Sequence, residues 1–375
     1  MESLIDKAEF IGLEDCTWFY TGAESPPLLG GLEAIGDYMV SRRLGPAGRE
    51  HNTEVEASCK RNLANLLAGQ PEQIALMSNS SEAISMIAGS LDLKAGDNIV
   101  INTLEFPSGV LPWLVHQSHG VEVRVVQHRD WEVSPEDIMA QVDGSTRLVM
   151  TSHVSYLSGA RLDYKALYQR LQQTNALLLL DVTQALGAVT VDMNHADFVV
   201  CSSYKWLLGT HGVGILAINP QRTQDFASRT IGWRSVADML HPQRYEKFTR
   251  HADARAFELG YPSYPTIYTL NFSTNLVLNT SIDKIEQHIL ELGSTLIDAL
   301  KQNGHAVMTP SDPERRAGNI AFVCAAGESV AQSLREENIF VWGGDGRVRA
   351  SVHAFNDEAD VDKLITALRK YWQPR

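Results

Sequence analysis

A chain of 375 residues, 44% hydrophobic and 21% charged, has the composition of a globular protein with room for a large domain and a smaller one. Its net charge of -13, with no cluster of lysines and arginines, excludes a nucleic-acid-binding surface. Four scattered cysteines (Cys16, Cys59, Cys201, Cys324), with no CxxC and no histidines at metal spacing, exclude a zinc site and a disulfide framework. The start, Met1-Glu-Ser-Leu-Ile-Asp-Lys7, lacks the basic-then-apolar pattern of a signal peptide. No uncharged apolar run approaches the roughly 18 residues of a membrane span, so the expectation is a soluble cytoplasmic protein.

Thr17-Trp-Phe-Tyr20 reads as a short strand. Residues 21–31 and 46–52 read as loops from their prolines and glycines, and residues 54–68 as a helix. Ile74-Ala-Leu-Met77 is strand-like and runs into Ser78-Asn-Ser-Ser-Glu82. Beyond it Ala83, Ile84, Ile87, Ala88 and Leu91 recur at helical spacing. Strand, hydroxyl-rich turn, helix is where an α/β fold holds a phosphate on exposed amides, although the serines equally suit plain helix capping. Residues 98–102, 121–126, 147–153 and 176–182 then read as strands, several of them separated by helical stretches such as 164–174. Such apolar strands alternating with helices predict an α/β fold with a mostly parallel sheet, whose ligands lie beyond the carboxyl ends of the strands. Asn102, His153 and Asp181 stand at three of those ends. Residues 266–304 form a long helical pattern, continuous or broken, and 321–324 and 347–352 look like strands of a second, smaller domain.

One lysine lies between two strand-like runs, Phe198-Val-Val-Cys201 and Gly214-Ile-Leu-Ala-Ile-Asn219. Lysines rarely sit between buried strands, so Lys205 is paired, neutral or covalently occupied, unless its ammonium simply reaches solvent at a strand end. A lysine of lowered pKa in an apolar pocket is what imine formation with an aldehyde requires. Asp181 closes four consecutive leucines. A carboxylate there has a raised pKa unless a cation or donors hold it ionised. A carboxylate that keeps a ring nitrogen protonated, and a lysine downstream, are the pair needed to use pyridoxal phosphate as an electron sink.

Asp181-Val-Thr-Gln-Ala-Leu-Gly187, then Asp192, then Ser202-Ser-Tyr-Lys-Trp206 resembles the class V aminotransferase group. That group includes cysteine desulfurases, selenocysteine lyases, isopenicillin N epimerase-like enzymes, kynureninases and C–S lyases. The resemblance extends over nearly the whole chain. It implies the type I fold of pyridoxal-phosphate-dependent transferases: a large domain with a mostly parallel seven-stranded sheet plus a smaller α+β C-terminal domain. The implied division is an N-terminal segment 1–16 packing with the small domain, a large cofactor domain 17–254 and a small domain 255–375. By position, Lys205 and Asp181 are the implied catalytic pair. Ser80, Ser81, Phe106, Gln184, Ser202 and Tyr204 would join them in binding the cofactor, with Phe106 on the pyridine face. Arg349, Ala23 and Tyr156 would meet the substrate, Arg349 pairing with its α-carboxylate. Arg347 and Arg349 share a strand face, and one of them is expected to be only a surface charge. A homodimer with active sites at its interface is implied, and no metal.

The departures bear on the reaction. Desulfurases need a cysteine shortly before the carboxylate-binding arginine, and Phe340-Val-Trp-Gly-Gly-Asp-Gly-Arg347 has none. Tyr261 stands where most relatives carry threonine, and Tyr204 where histidine is common. The expected activity is therefore a C–S lyase that eliminates a β-substituent from a cysteine-derived amino acid, with transamination or epimerisation as alternatives. A non-catalytic binding protein would lack the lysine or the carboxylate, and a nicotinamide dehydrogenase would carry a GxGxxG that is absent.

Overall fold

The structure, a computed structural model, describes residues 1–371. Eleven strands follow in chain order: β1 Thr17–Phe19, β2 Ile74–Met77, β3 Asn98–Asn102, β4 Glu122–Val126, β5 Thr146–Ser152, β6 Leu177–Asp181, β7 Phe198–Ser202, β8 Gly214–Ile218, β9 Asn319–Val323, β10 Ile339–Gly344 and β11 Arg347–Ser351. Three helices near the start are α1 Leu29–Arg42, α2 Pro46–Leu66 and α3 Ser80–Ser90. Seven strands form the large sheet in the order β2-β8-β7-β6-β5-β3-β4, and four form the small one in the order β1-β10-β11-β9.

Within the large sheet β7, β6, β5, β3 and β4 run parallel, while β8 opposes both its neighbours. The run of leucines in β6 lies between β5 and β7, a position apolar on both faces, which is why alternation is lost there. One apolar cluster contains Leu178 and Leu180 and another contains Leu179, so successive residues of β6 feed the cores on opposite sides of the sheet. Because β3, β5, β6 and β7 are parallel, their polar last residues, Asn102, Ser152, Asp181 and Ser202, gather along one edge. Ser152 and Asp181 are register partners.

Two local expectations need correction, and two further stretches gain detail. Residues 17–19, expected in the large domain, pair in parallel with β10 at the edge of the small sheet, and Phe19 joins the small sheet's core. Residues 46–52 are the first turns of α2 and not a loop. Proline at the first helical position loses no hydrogen bond, and Gly45 at φ 59° turns the chain into it. The span 266–304 is two helices, Tyr264–Thr280 and Ile282–Gln302, broken at Ser281 with φ 77°. The stretch before Arg347 is β10, joined to β11 by the two-residue turn Asp345-Gly346, both at positive φ.

Candidate active site

The polar edge of the large sheet forms a cavity lined by Ser80, Ser81, Phe106, Ser152, Tyr156, Asp181, Thr183, Gln184, Ser202, Tyr204 and Lys205, among others. Lys205 follows the end of β7, and its Nζ stands 5.6 Å from the ring centre of Phe106 and 5.5 Å from that of Tyr204. Burial and the nearby Arg349 cation push Lys205 down to about 8, against the pull of Asp181. No carboxylate bridges it among the described residues.

Asp181 is 8% exposed at the tip of β6. Burial raises its pKa, and the backbone N–H of Thr183, donating to Oδ1 at 2.7 Å, and the Lys205 cation work the other way. Ser80 opens α3, whose cap Asn79 accepts from the Glu82 N–H at 2.8 Å. The Ser80 hydroxyl lies 2.8 Å from that of Ser202, so two elements present hydroxyls at one point beside the helix N-terminus, with Ser81 exposed next to them. Phe106 is 48% exposed and meets Tyr156 edge-on at 5.2 Å, leaving ring surface open to the cavity. Tyr204 stacks on His211 at 3.9 Å.

Gln184 is engaged on every side. Its Nε2 donates to the Gly22 carbonyl at 2.8 Å, and its Oε1 accepts from Trp206 Nε1 at 2.8 Å and from Asn319 Nδ2 at 2.9 Å. It thereby joins the N-terminal loop, the lysine loop and β9. Arg349 projects from β11, 3% exposed, with Nη1 donating to the Tyr156 carbonyl at 2.6 Å and a buried Nε without a partner. Burial and the neighbouring Arg347 bring Arg349 down to about 10, so it remains a cation near neutral pH. Gly22 lets the N-terminal loop approach: a Cβ there would meet Asn319 Oδ1 at 2.4 Å and Arg349 Cζ at 3.1 Å. Ala23, half-buried in the turn after it, is not among the residues that line the cavity.

Three features escaped the sequence reading. Arg347 is no surface charge, being 3% exposed like its neighbour. His153 points away from the cavity, its Nδ1 3.1 Å from the Leu162 carbonyl, while Ser152 and Val154 line the cavity in its place. Glu105 is buried, and burial lifts it to about 7 even though Asn102 and Ser152 donate to it. Only its position after the polar end of β3 hinted at this. A larger cleft of about 600 Å3, lined by Tyr38, Arg42, Arg49, Tyr261 and others, carries neither Lys205 nor Asp181.

A family-wide sequence profile described as aminotransferase class-V matches residues 38–364. The chain belongs to that family. A probable cysteine desulfurase of Methanothermobacter thermautotrophicus is 25% identical, over 96% of this chain and 95% of its own length. A cysteine desulfurase of Salmonella newport is 28% identical, over 81% of this chain and 79% of its own length. Among solved structures, apo cysteine desulfurase from Thermococcus onnurineus superposes with a TM-score of 0.89 at 21% identity, covering 99% of both chains. The cystine C–S lyase C-DES, with its product cysteine persulfide, matches at 0.89 and 22% identity, covering 97% of this chain and all of its own. A variant of that lyase is described with glycine covalently linked to the pyridoxal phosphate cofactor.

Family membership indicates pyridoxal phosphate as the cofactor. The residues present fit it on geometry: paired hydroxyls at a helix N-terminus, a buried carboxylate lining the cavity, a half-open phenyl ring and an unpaired lysine.

Proposed function

We propose that this family member is a lyase that eliminates the β-substituent of a cysteine-derived amino acid, releasing pyruvate and ammonia. The observation that carries this reading is the unpaired Lys205 in one cavity with Asp181 and Phe106, reached by an Arg349 whose approach loop has no thiol. When bound, pyridoxal phosphate supplies an electron-withdrawing ring that accepts the electron pair of a Cα–H bond. The hydroxyls of Ser80, Ser81 and Ser202 and the amides of α3 would hold its phosphate. Asp181 would keep a proton on the ring nitrogen, and Phe106 would cover a ring face. Arg349 pairs with the substrate α-carboxylate, held in place by the Tyr156 carbonyl. Lys205, as a free amine, would take the Cα proton onto Nζ. Loss of the Cα proton would let a Cα=Cβ bond form as sulfur leaves with the Cβ–S electron pair, and hydrolysis of the resulting enamine by water would give pyruvate and ammonia.

The thiol inventory favours elimination over persulfide transfer. Cys59, Cys201 and Cys324 are at most 1% exposed, Cys16 is half-buried, and burial raises the pKa of all four, the opposite of what a sulfur nucleophile needs. The turn ahead of Arg349 is Asp345-Gly346.

The chain works as a homodimer. α1 supports this through an inverted face: Gly30, Gly31, Ala34 and Ser41 are buried, while Leu32, Met39 and Val40 are more than half exposed. Small residues inward let α1 lie close on the helix Tyr264–Thr280, where a Cβ on Gly30 would meet Phe272 at 2.1 Å. The large apolar residues are thereby left for a second copy.

The test is a spectrum and an assay on purified protein with added cofactor. Wild type should show the visible band of a lysine–aldehyde adduct, absent in Lys205→Ala. Pyruvate should form in catalytic excess from L-cystine or a cysteine sulfoxide. Conversion of the cofactor to its amine form without pyruvate would point to transamination instead.

A further inference from the structure

Arg347 stands two residues before Arg349 on β11, so both side chains leave the same face of the strand. Trp342 pairs in register with Arg349 across the hairpin. Its ring lies 4.4 Å from Cζ of Arg347 and 5.6 Å from Cζ of Arg349. Arg347 also sits 5.7 Å from the ring of Tyr156, the residue that lines the cavity with Lys205 and meets Phe106 edge-on.

Buried guanidinium groups ordinarily have an anionic partner, because desolvating an unpaired cation is costly. Arg347 has one weak pairing, Nη1 to Asp345 at 3.3 Å, and that carboxylate is 71% exposed. Its Nε and Nη2 are buried with no partner. Two cations therefore lie side by side on one aromatic floor with donors to spare, while one α-carboxylate can fill only one of the two forks. Cation–π contact with Trp342 and Tyr156 holds the Arg347 group beside Arg349, with Nε and Nη2 still without a partner.

We infer that Arg347 is a specificity residue that binds a second anionic group of the substrate, an oxyanion at the far end of its side chain. This rests on the amino-acid lyase reading and names the distal group of that substrate. Two sources share the chemistry: the remote carboxylate of a disulfide- or thioether-linked amino acid, and a short sulfinate on Cβ.

Calorimetric titration of cofactor-loaded protein with S-carboxymethyl-L-cysteine and its neutral isostere S-carbamoylmethyl-L-cysteine tests this. Thioethers leave poorly, so binding is read apart from turnover. Wild type should bind the carboxylate ~10-fold or more tightly, the scale of one charge-assisted fork. Arg347→Gln should bring the two affinities together, and Arg347→Lys should keep part of the preference. L-cysteine sulfinate in the same series separates the sources. If its affinity also falls in Arg347→Gln, the subsite reaches a short oxyanion, and if not, it reads only the remote one. Equal affinities in wild type, equal weakening of both compounds in Arg347→Gln, or binding of neither would overturn the inference. If the preference holds while no sulfur amino acid is turned over, the lyase reading fails and the anion subsite stands.

Discussion

At the scale of single residues, Lys205 shows how position sets chemistry. An ordinary lysine ammonium is no nucleophile at neutral pH; this one, buried beside Arg349, titrates at about 8. Below that pH the folded protein holds mostly the ammonium, and above it the free amine. The rate at which apoprotein takes up pyridoxal phosphate should therefore climb as pH rises through about 8 and then level, as followed by the growth of the visible band. A rate flat from pH 6 to pH 9 would mean the amine is already free. Lys205 and Asp181 were legible because a lysine and a carboxylate at the ends of apolar strands are anomalies that residue types alone reveal. Arg347 was not. An arginine on an alternating strand reads as solvated, and its burial depends on Trp342 arriving from a strand the sequence hid among glycines.

Among elements, the edge of the large sheet depends on a buried ionic cluster. Lys60 on α2 donates to Glu258 at 2.6 Å, Glu258 accepts from the Leu76 N–H on β2 at 3.0 Å, and Arg234 bridges Glu258 at 3.0 Å and Glu56 at 2.5 Å. One carboxylate thus joins a helix, an edge strand and the loop that carries Tyr261. Removing Glu258 leaves two buried cations, Lys60 and Arg234, to share the one carboxylate of Glu56. Glu258→Ala should cost about 3–5 kcal/mol of unfolding free energy, measured by urea titration. A loss under about 1 kcal/mol would mean water replaces the carboxylate. The helix α2 itself was read from its apolar spacing, but its first turns were not, because proline and glycine suggest a loop until the entry geometry at Gly45 is seen.

For the whole molecule, the inverted face of α1 underlies the proposed dimer, which sedimentation should detect in wild type. A Leu32→Glu, Val40→Glu double variant should sediment as a monomer with its fold intact by circular dichroism. A wild-type monomer with full activity would refute the dimer. The sequence by itself determined the class of fold, since uninterrupted apolar strands alternating with helices fit only a covered parallel sheet. It also determined the family, through residue types that chemistry constrains: the lysine, the aspartate and the hydroxyl turn. Tertiary structure alone decided which side chains share the cavity. It set Ser80 against Ser202 from elements 122 positions apart, engaged Gln184 with three separate segments, turned His153 away and buried Arg347. The physical reason is that periodicity fixes which face a residue occupies within its own element, whereas burial and partners are set by elements distant in sequence.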